Sequence, residues 1–365
     1  MGRCRLCEDS SPFISGELGV CVACIRNRPG DALSVTAAVH EENRKLHDLP
    51  VRPPKDPDGV SCNLCVHECR IPEGGFGFCG LRRNEGGALR GADASLGKLS
   101  WYHDPLPTNC VADRVCAGGT GAGHPVFAHR PGPERGYRNL AVFFHACSLN
   151  CLSCQNWTFR LESMKPADIP VDALAGAADL RTSCVCFFGG DPAPQLPFSL
   201  KAARQARARN PGRILRICWE TNGTMHPALC DGMLDLAIES GGCVKFDLKA
   251  RDEALHIALT GVTNRRTLEN FARAAKRIPE RPVPPPLVAG TLLVPGYVDE
   301  TEVSAIASFL ASLDRTIPYS LLAFHPTFQL FDLPRTPERQ AVRCLEAARG
   351  AGLETVHLGN THLLA

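Results

Sequence analysis

Residues 147–157 read CSLNCLSCQNW, which places Cys147, Cys151 and Cys154 in a C-x3-C-x2-C spacing with no fourth cysteine close by. Closed tetrahedral zinc sites and ordinary iron–sulfur sites take four protein ligands. Three thiolates leave one coordination position free, and a free position is where a small molecule binds and reacts. Two further groups do have four thiols. Cys4, Cys7, Cys21 and Cys24 form two C-x2-C knuckles, a zinc-ribbon pattern with a rubredoxin-like iron site as the alternative. Cys62, Cys65, Cys69 and Cys79 form C-x2-C-x3-C-x9-C, and PEGGFGFCG supplies the turns that bring Cys79 back. Zinc and a second iron–sulfur cluster suit this set equally. Four ligands close a site, which favours a structural or electron-relay role there.

The other cysteines read more plainly. Cys184, Cys186, Cys218 and Cys243 fall on apolar runs, and Cys230 and Cys344 on helical patterns, so all six read as core. Cys110 and Cys116 read as loop cysteines without a role, with membership of a metal site as the alternative. The total of 19 cysteines is odd, and the N-terminal ones come in C-x2-C pairs without an export signal ahead of them. That pattern favours metal ligation in a reducing cytoplasm over a disulfide framework. The formal charge is only +2, with 40 basic against 38 acidic residues. Nothing in it provides the basic footprint of a nucleic-acid or membrane-surface binder. No run of about 18 apolar residues occurs, so no membrane span is expected.

These groups must be held by a scaffold, and the chain divides into parts. Residues 1–48 make a ribbon-like module ending in a short helix over 31–48. The proline-rich stretch PVRPPKDPDG then links to a second cysteine-rich module and irregular segment over 60–138. GGTGAG at 118–123 lacks the Lys-Ser/Thr of a phosphate loop and reads as a flexible loop. From residue 139 to 365 apolar runs alternate with amphipathic helical patterns. The runs are 139–145, 184–189, 214–220, 243–249, 288–294, 319–325 and 354–359. The helices are clearest at 198–208, 227–239, 266–278, 300–313 and 337–350. This rhythm predicts an α/β fold with a parallel sheet, a partial (β/α)6 barrel of TIM type behind a cysteine-rich metal-binding region. In such a barrel the working residues follow the strands at one rim.

The strand ends then form a series: Cys147/Cys151/Cys154, GGDP (189–192), ETNG (220–223), DLK (247–249), PGYVDE (295–300) and FHP (324–326). This series resembles the radical S-adenosylmethionine (SAM) enzymes, and within them the pyruvate formate-lyase activating enzymes. DLKARDEALHIALTGVTNRRTLEN (247–270) with LLVPGYVDE (292–300) extends the likeness, which covers residues 139–360. The resemblance implies a four-iron four-sulfur cluster on Cys147, Cys151 and Cys154. SAM chelates its fourth iron and is cleaved reductively to a 5'-deoxyadenosyl radical that abstracts hydrogen. It implies SAM contacts from Gly189, Gly190 and Asp191 through their backbone, and from Asn222 and Lys249 to the SAM carboxylate. Glu220 and Asp247 resemble the acids that hold a monovalent cation beside SAM, with ion pairing to Lys245 or Lys249 as the plainer role. It implies a cytoplasmic enzyme with a reductant such as flavodoxin or ferredoxin and, for an activase, a protein substrate.

The sequence departs from the family at three points. Ser153 stands where an aromatic residue usually precedes the last cluster cysteine, with Trp157 as a substitute. Asp191 and Glu220 each exchange one acid for the other. His325 either faces the site or caps its strand, and Met225 and Phe188 read as core. Two rival readings remain: a radical SAM enzyme that modifies a peptide or small molecule, and a non-catalytic zinc-ribbon adaptor with a decayed barrel.

Overall fold

The structure is a computed structural model and describes all residues 1–365. Its centre is one eight-stranded sheet. Seven parallel strands follow in sequence order: Arg138–Phe144, Thr182–Gly189, Arg216–Thr221, Val244–Asp247, Leu287–Leu293, Tyr319–Ala323 and Val356–Gly359. They lie where the apolar runs predict them. Each neighbour pair is joined by a crossover, as parallel pairing requires. The helices Leu196–Ala208, Pro227–Ser240, Arg265–Ala275, Glu300–Leu313 and Glu338–Gly350 supply most of these crossovers. Phe187, Trp219, Phe246 and Tyr319 are fully buried in the main core. The sheet does not close, so the barrel is partial.

The open edge is occupied by an element not anticipated from sequence. Leu99–Pro105 pairs antiparallel with Arg138–Phe144 over seven residue pairs. The sheet thus recruits a strand from before residue 139. From Leu106 the irregular chain runs into the barrel: Ser320 Oγ donates to the Val111 carbonyl at 2.7 Å. A buried pair, Arg216 with Glu134 at 2.5 Å, anchors its end, assisted by Ser183. Burial without a partner would be costly for either charge, so the two hold each other in place.

The N-terminal modules pack on the same body. Gly2–Arg3 and Ser10–Ser11 form a small antiparallel ribbon, followed by the helices Val22–Asn27 and Pro29–Lys45. The buried Tyr297 hydroxyl accepts from Ser15 N at 3.0 Å and donates to the Val20 carbonyl at 2.9 Å. Arg26 pairs with Asp299 and Glu302. In the second module Val60–Cys62 pairs antiparallel with Cys69–Ile71, which sets Cys62 opposite Cys69.

Candidate active site

The three thiols of the C-x3-C-x2-C loop line one cavity of about 290 Å³ at the C-terminal ends of the strands. Gly189, Gly190, Asp191, Glu220, Asn222, Asp247 and Lys249 line it as well. Every candidate cofactor residue named from the sequence therefore reaches the same space as the three cysteines.

Local chemistry explains how the loop is held. Leu149 N donates to Cys147 Sγ at 3.3 Å, and Asn222 Nδ2 lies 3.6 Å from the same sulfur. Asn222 Nδ2 also donates to Ser148 Oγ at 3.0 Å, while its Oδ1 accepts from Thr224 N at 3.0 Å. Asn150 N and Leu152 N donate to the carbonyls of Thr260 and Leu259, at the end of the helix Glu253–Thr260. Burial pushes the Cys147 thiol well above its ordinary range and takes Cys151 up to about 12, where Lys249 opposes the rise. Thiols in that state ionise when a metal takes the proton's place.

Gly190 N donates to the Phe144 carbonyl at 2.7 Å and Asp191 N to the Ala146 carbonyl at 2.8 Å. These N–H groups thus fasten the second strand's end to the cysteine loop, and only carbonyls remain to meet an amino group. Gly189 has φ +108° and a Cβ there would stand 2.5 Å from Phe144 N, so glycine is required. The Asp191 carboxylate accepts from Ala193 N at 2.7 Å, Asn222 N at 2.6 Å and Thr221 Oγ1 at 3.1 Å. It staples two strand ends together; burial raises it to about 7.

The acids weighed for a cation each have a lysine partner. Lys245 Nζ stands 3.8 Å from Glu220, and Lys249 pairs closely with Asp247. Trp157 does not face the cavity; it stacks on Phe328 with ring centroids 5.5 Å apart. The buried Phe159 lines the cavity instead. Phe188, read as core, lines it too, whereas Met225 is buried as expected and His325 is exposed and outside the lining.

Sequence reasoning missed Arg160. It is 3% exposed, lines the cavity, and its Nη1 has no hydrogen-bond partner. An orphaned guanidinium N–H beside three thiols and Lys249 suits an anionic guest: thiolate-bound cluster charge or a carboxylate. The donor set therefore fits both a cluster on three soft ligands and an amino acid moiety beside it.

The N-terminal modules touch this loop directly. His67 Nε2 lies 2.6 Å from the Ser148 carbonyl, and Val66 N donates to the Thr224 carbonyl at 2.8 Å. His40, on the helix Pro29–Lys45, donates through Nε2 to the Ala258 carbonyl at 3.0 Å and accepts from Asn150 Nδ2 at 3.0 Å. Burial takes His40 and His67 down to about 4, so both are neutral near pH 7. In the ribbon, the ligand atoms of Cys4, Cys7, Cys21 and Cys24 all lie within 4.8 Å of one another. Cys7 Sγ and Cys21 Sγ are 3.7 Å apart. Metal–sulfur bonds of about 2.3 Å in a tetrahedron give an edge of about 3.8 Å. That quartet is already shaped for one ion.

Residues 141–310 match the radical SAM superfamily. This stretch of the chain thus carries a radical SAM domain. The chain is 25% identical over 325 residues to an uncharacterized protein of Methanocaldococcus jannaschii, covering 84% of this chain and 82% of that one. It is 33% identical over 139 residues to the isethionate sulfite-lyase activating enzyme of Oleidesulfovibrio alaskensis. That match spans 38% of this chain and 40% of the activating enzyme. A solved domain of a pyruvate-formate lyase-activating enzyme from Bacteroides vulgatus aligns with TM-score 0.40 at 22% identity, over 48% of this chain and 98% of that one. No helix is long and apolar enough to cross a membrane.

Proposed function

We propose that this chain cleaves SAM reductively at a cluster held by Cys147, Cys151 and Cys154, and abstracts hydrogen from a substrate in the manner of the glycyl-radical-enzyme activases. The observation that carries the reading is the single cavity lined by three cysteines and by the strand-end residues 189–191, 220–222, 247 and 249. When bound, the cluster and SAM together supply the electron and the 5'-deoxyadenosyl radical.

The residues then divide the remaining work. The three thiolates bind iron and leave one iron open to SAM. Backbone carbonyls of the 189–191 segment receive the amino group. Arg160 Nη1 and Lys249 hold the carboxylate, with Asn222 fixing the cysteine loop through Ser148 and Cys147. Phe159 and Phe188 give the cavity apolar walls that exclude water. The Cys4 quartet holds zinc or a single iron. The Cys62 set holds zinc or a second cluster; as a cluster it suits a relay from a flavodoxin- or ferredoxin-like reductant, since His67 of the same module meets the Ser148 carbonyl in the cysteine loop.

The activase reading draws on the relatives whose names carry that activity. A second reading, a peptide or small-molecule substrate, is favoured by the N-terminal modules, which engage the rim loops through His40, Val66 and His67. One experiment separates them. A protein substrate with a glycyl loop should gain a glycyl radical EPR doublet after anaerobic incubation with the reduced enzyme and SAM. If 5'-deoxyadenosine forms but no such partner gains a radical, the activase reading fails and the second stands.

A further inference from the structure

A second cavity of about 140 Å³ lies inside the barrel beside the first, and Phe188 and Glu220 line both. Six cysteines read as core or idle reach it: Cys110, Cys116, Cys184, Cys186, Cys218 and Cys243. They converge through topology. Cys186 and Cys218 are register partners on adjacent parallel strands and so share a face. Cys110 and Cys116 come from the irregular segment that enters the barrel.

Their hydrogen bonding divides the six. Four sulfurs accept N–H donors. Cys110 accepts from Ala112 N at 3.5 Å and from Lys245 Nζ at 3.2 Å. Cys186 accepts from the same Nζ at 3.0 Å. Cys116 accepts from Gly119 N at 3.4 Å and Cys218 from Cys243 N at 3.4 Å. The metal-site candidates Cys4, Cys21 and Cys147 accept backbone N–H in the same way. Cys184 instead donates to Asn139 Oδ1 at 3.2 Å, as a thiol does. Lys245 is 2% exposed, and its only carboxylate is Glu220 at 3.8 Å. A buried ammonium needs nearby negative charge, and the sulfurs of Cys186 and Cys110 at 3.0 and 3.2 Å would supply it as metal-bound thiolates.

We propose that Cys110, Cys116, Cys186 and Cys218 bind an iron–sulfur cluster in this inner cavity, with Lys245 offsetting its negative charge. At about 140 Å³ the cavity has about half the volume of the 290 Å³ cavity assigned to a cluster with SAM, which suits a compact inorganic guest alone. The sulfurs are not drawn into the tight single-ion group that the N-terminal quartet forms. Thiolates on different irons of one cluster stand farther apart than those around one ion. Radical chemistry next door gives a further reason, and this step rests on the function proposed above. An S–H bond is weaker than a C–H bond, so free thiols lining a space beside a carbon radical would quench it. Ligation removes four of the six S–H bonds that line this space, and Cys184 directs its own at Asn139 Oδ1.

The test uses the full chain, purified anaerobically and reconstituted with iron and sulfide. Iron, acid-labile sulfide and zinc are counted for the wild type, for Cys110→Ser/Cys116→Ser, and for Cys184→Ala/Cys243→Ala. The first variant alters only the loop ligands; it should lose iron and sulfide in equal amounts, keep its zinc, and keep the EPR signal that SAM perturbs. The second should match the wild type. Should the loop variant not fold, alkylation of the wild type by iodoacetamide decides: the four assigned cysteines should label only after a chelator strips the iron. Unchanged iron and sulfide in the loop variant, or equal labelling before and after chelation, overturns the proposal. Loss of SAM cleavage with inner iron retained would instead count against the radical reading alone.

Discussion

Gly190→Ala should loosen the cysteine loop although alanine is a better backbone former than glycine. A Cβ at Gly190 would stand 2.9 Å from both the Ala146 carbonyl carbon and the Phe144 oxygen, and closer still to the Ala146 oxygen. All are backbone atoms and cannot rotate away. Relief requires separating the second strand's end from the loop that begins at Cys147. That puts two hydrogen bonds at risk, Gly190 N to Phe144 O and Asp191 N to Ala146 O. Overpacking costs about 1–3 kcal/mol. Each weakened hydrogen bond adds about 0.5–1.5 kcal/mol. A loss of roughly 2–6 kcal/mol follows, together with a displaced Cys147 and less bound iron. Gly30→Ala is the control: it lies in the helix Pro29–Lys45 with nothing within 4 Å of its Cβ, so it should gain about 0.5–1 kcal/mol. Urea midpoints and iron per chain read both. A Gly190→Ala protein with wild-type midpoint and iron content would refute the claim that this contact positions the cluster loop.

Other predictions follow from the same geometry. Cys4→Ser should lose the zinc or iron of the ribbon and lower the melting temperature without abolishing SAM cleavage, read by metal analysis and thermal melts. Arg160→Met should raise the SAM Kd about tenfold or more, since it removes a charge-assisted bond worth about 1.5–3 kcal/mol; equal SAM affinity in anaerobic titration would exclude Arg160 from the site. Acid should act through His40, whose folded value of about 4 lies below its ordinary 6.5. The unfolded chain then binds more protons between those values, so this contribution is whole above pH 6.5 and lost as pH falls to about 4. It amounts to about 3 kcal/mol, and His40→Gln should flatten the acid limb of the stability profile.

The parallel strands were legible because each is a short apolar run bounded by turn residues, and the rim residues because motifs follow those runs. Leu99–Pro105 was not. Its sequence LSWYHDP mixes polar and aromatic residues, and it becomes a strand only because Arg138–Phe144 has a free edge to pair with. The helix Glu253–Thr260 was hidden inside a motif quoted for its family likeness. Arg160 gave no signal, because its role comes from a burial that leaves Nη1 unpartnered. The convergence of six cysteines was equally invisible. Period-2 alternation shows that Cys184 and Cys186 share a face, but only strand register sets Cys186 beside Cys218, and only the path of residues 106–137 brings in Cys110 and Cys116. The lysine partners of Glu220 and Asp247 were foreseen as one of two outcomes, and the structure shows both pairs formed.

The central claim is that Cys147, Cys151 and Cys154 hold the cluster at which SAM is cleaved. The direct measurement is 5'-deoxyadenosine per chain after anaerobic reduction with SAM, for the wild type and for Cys147→Ala, Cys151→Ala and Cys154→Ala. Each thiolate binds one iron, and three is the fewest that leaves a single position for SAM. The account predicts product from the wild type and none above background from any variant. Product at the wild-type level in even one variant, or none from a wild type that carries its full iron, would contradict it.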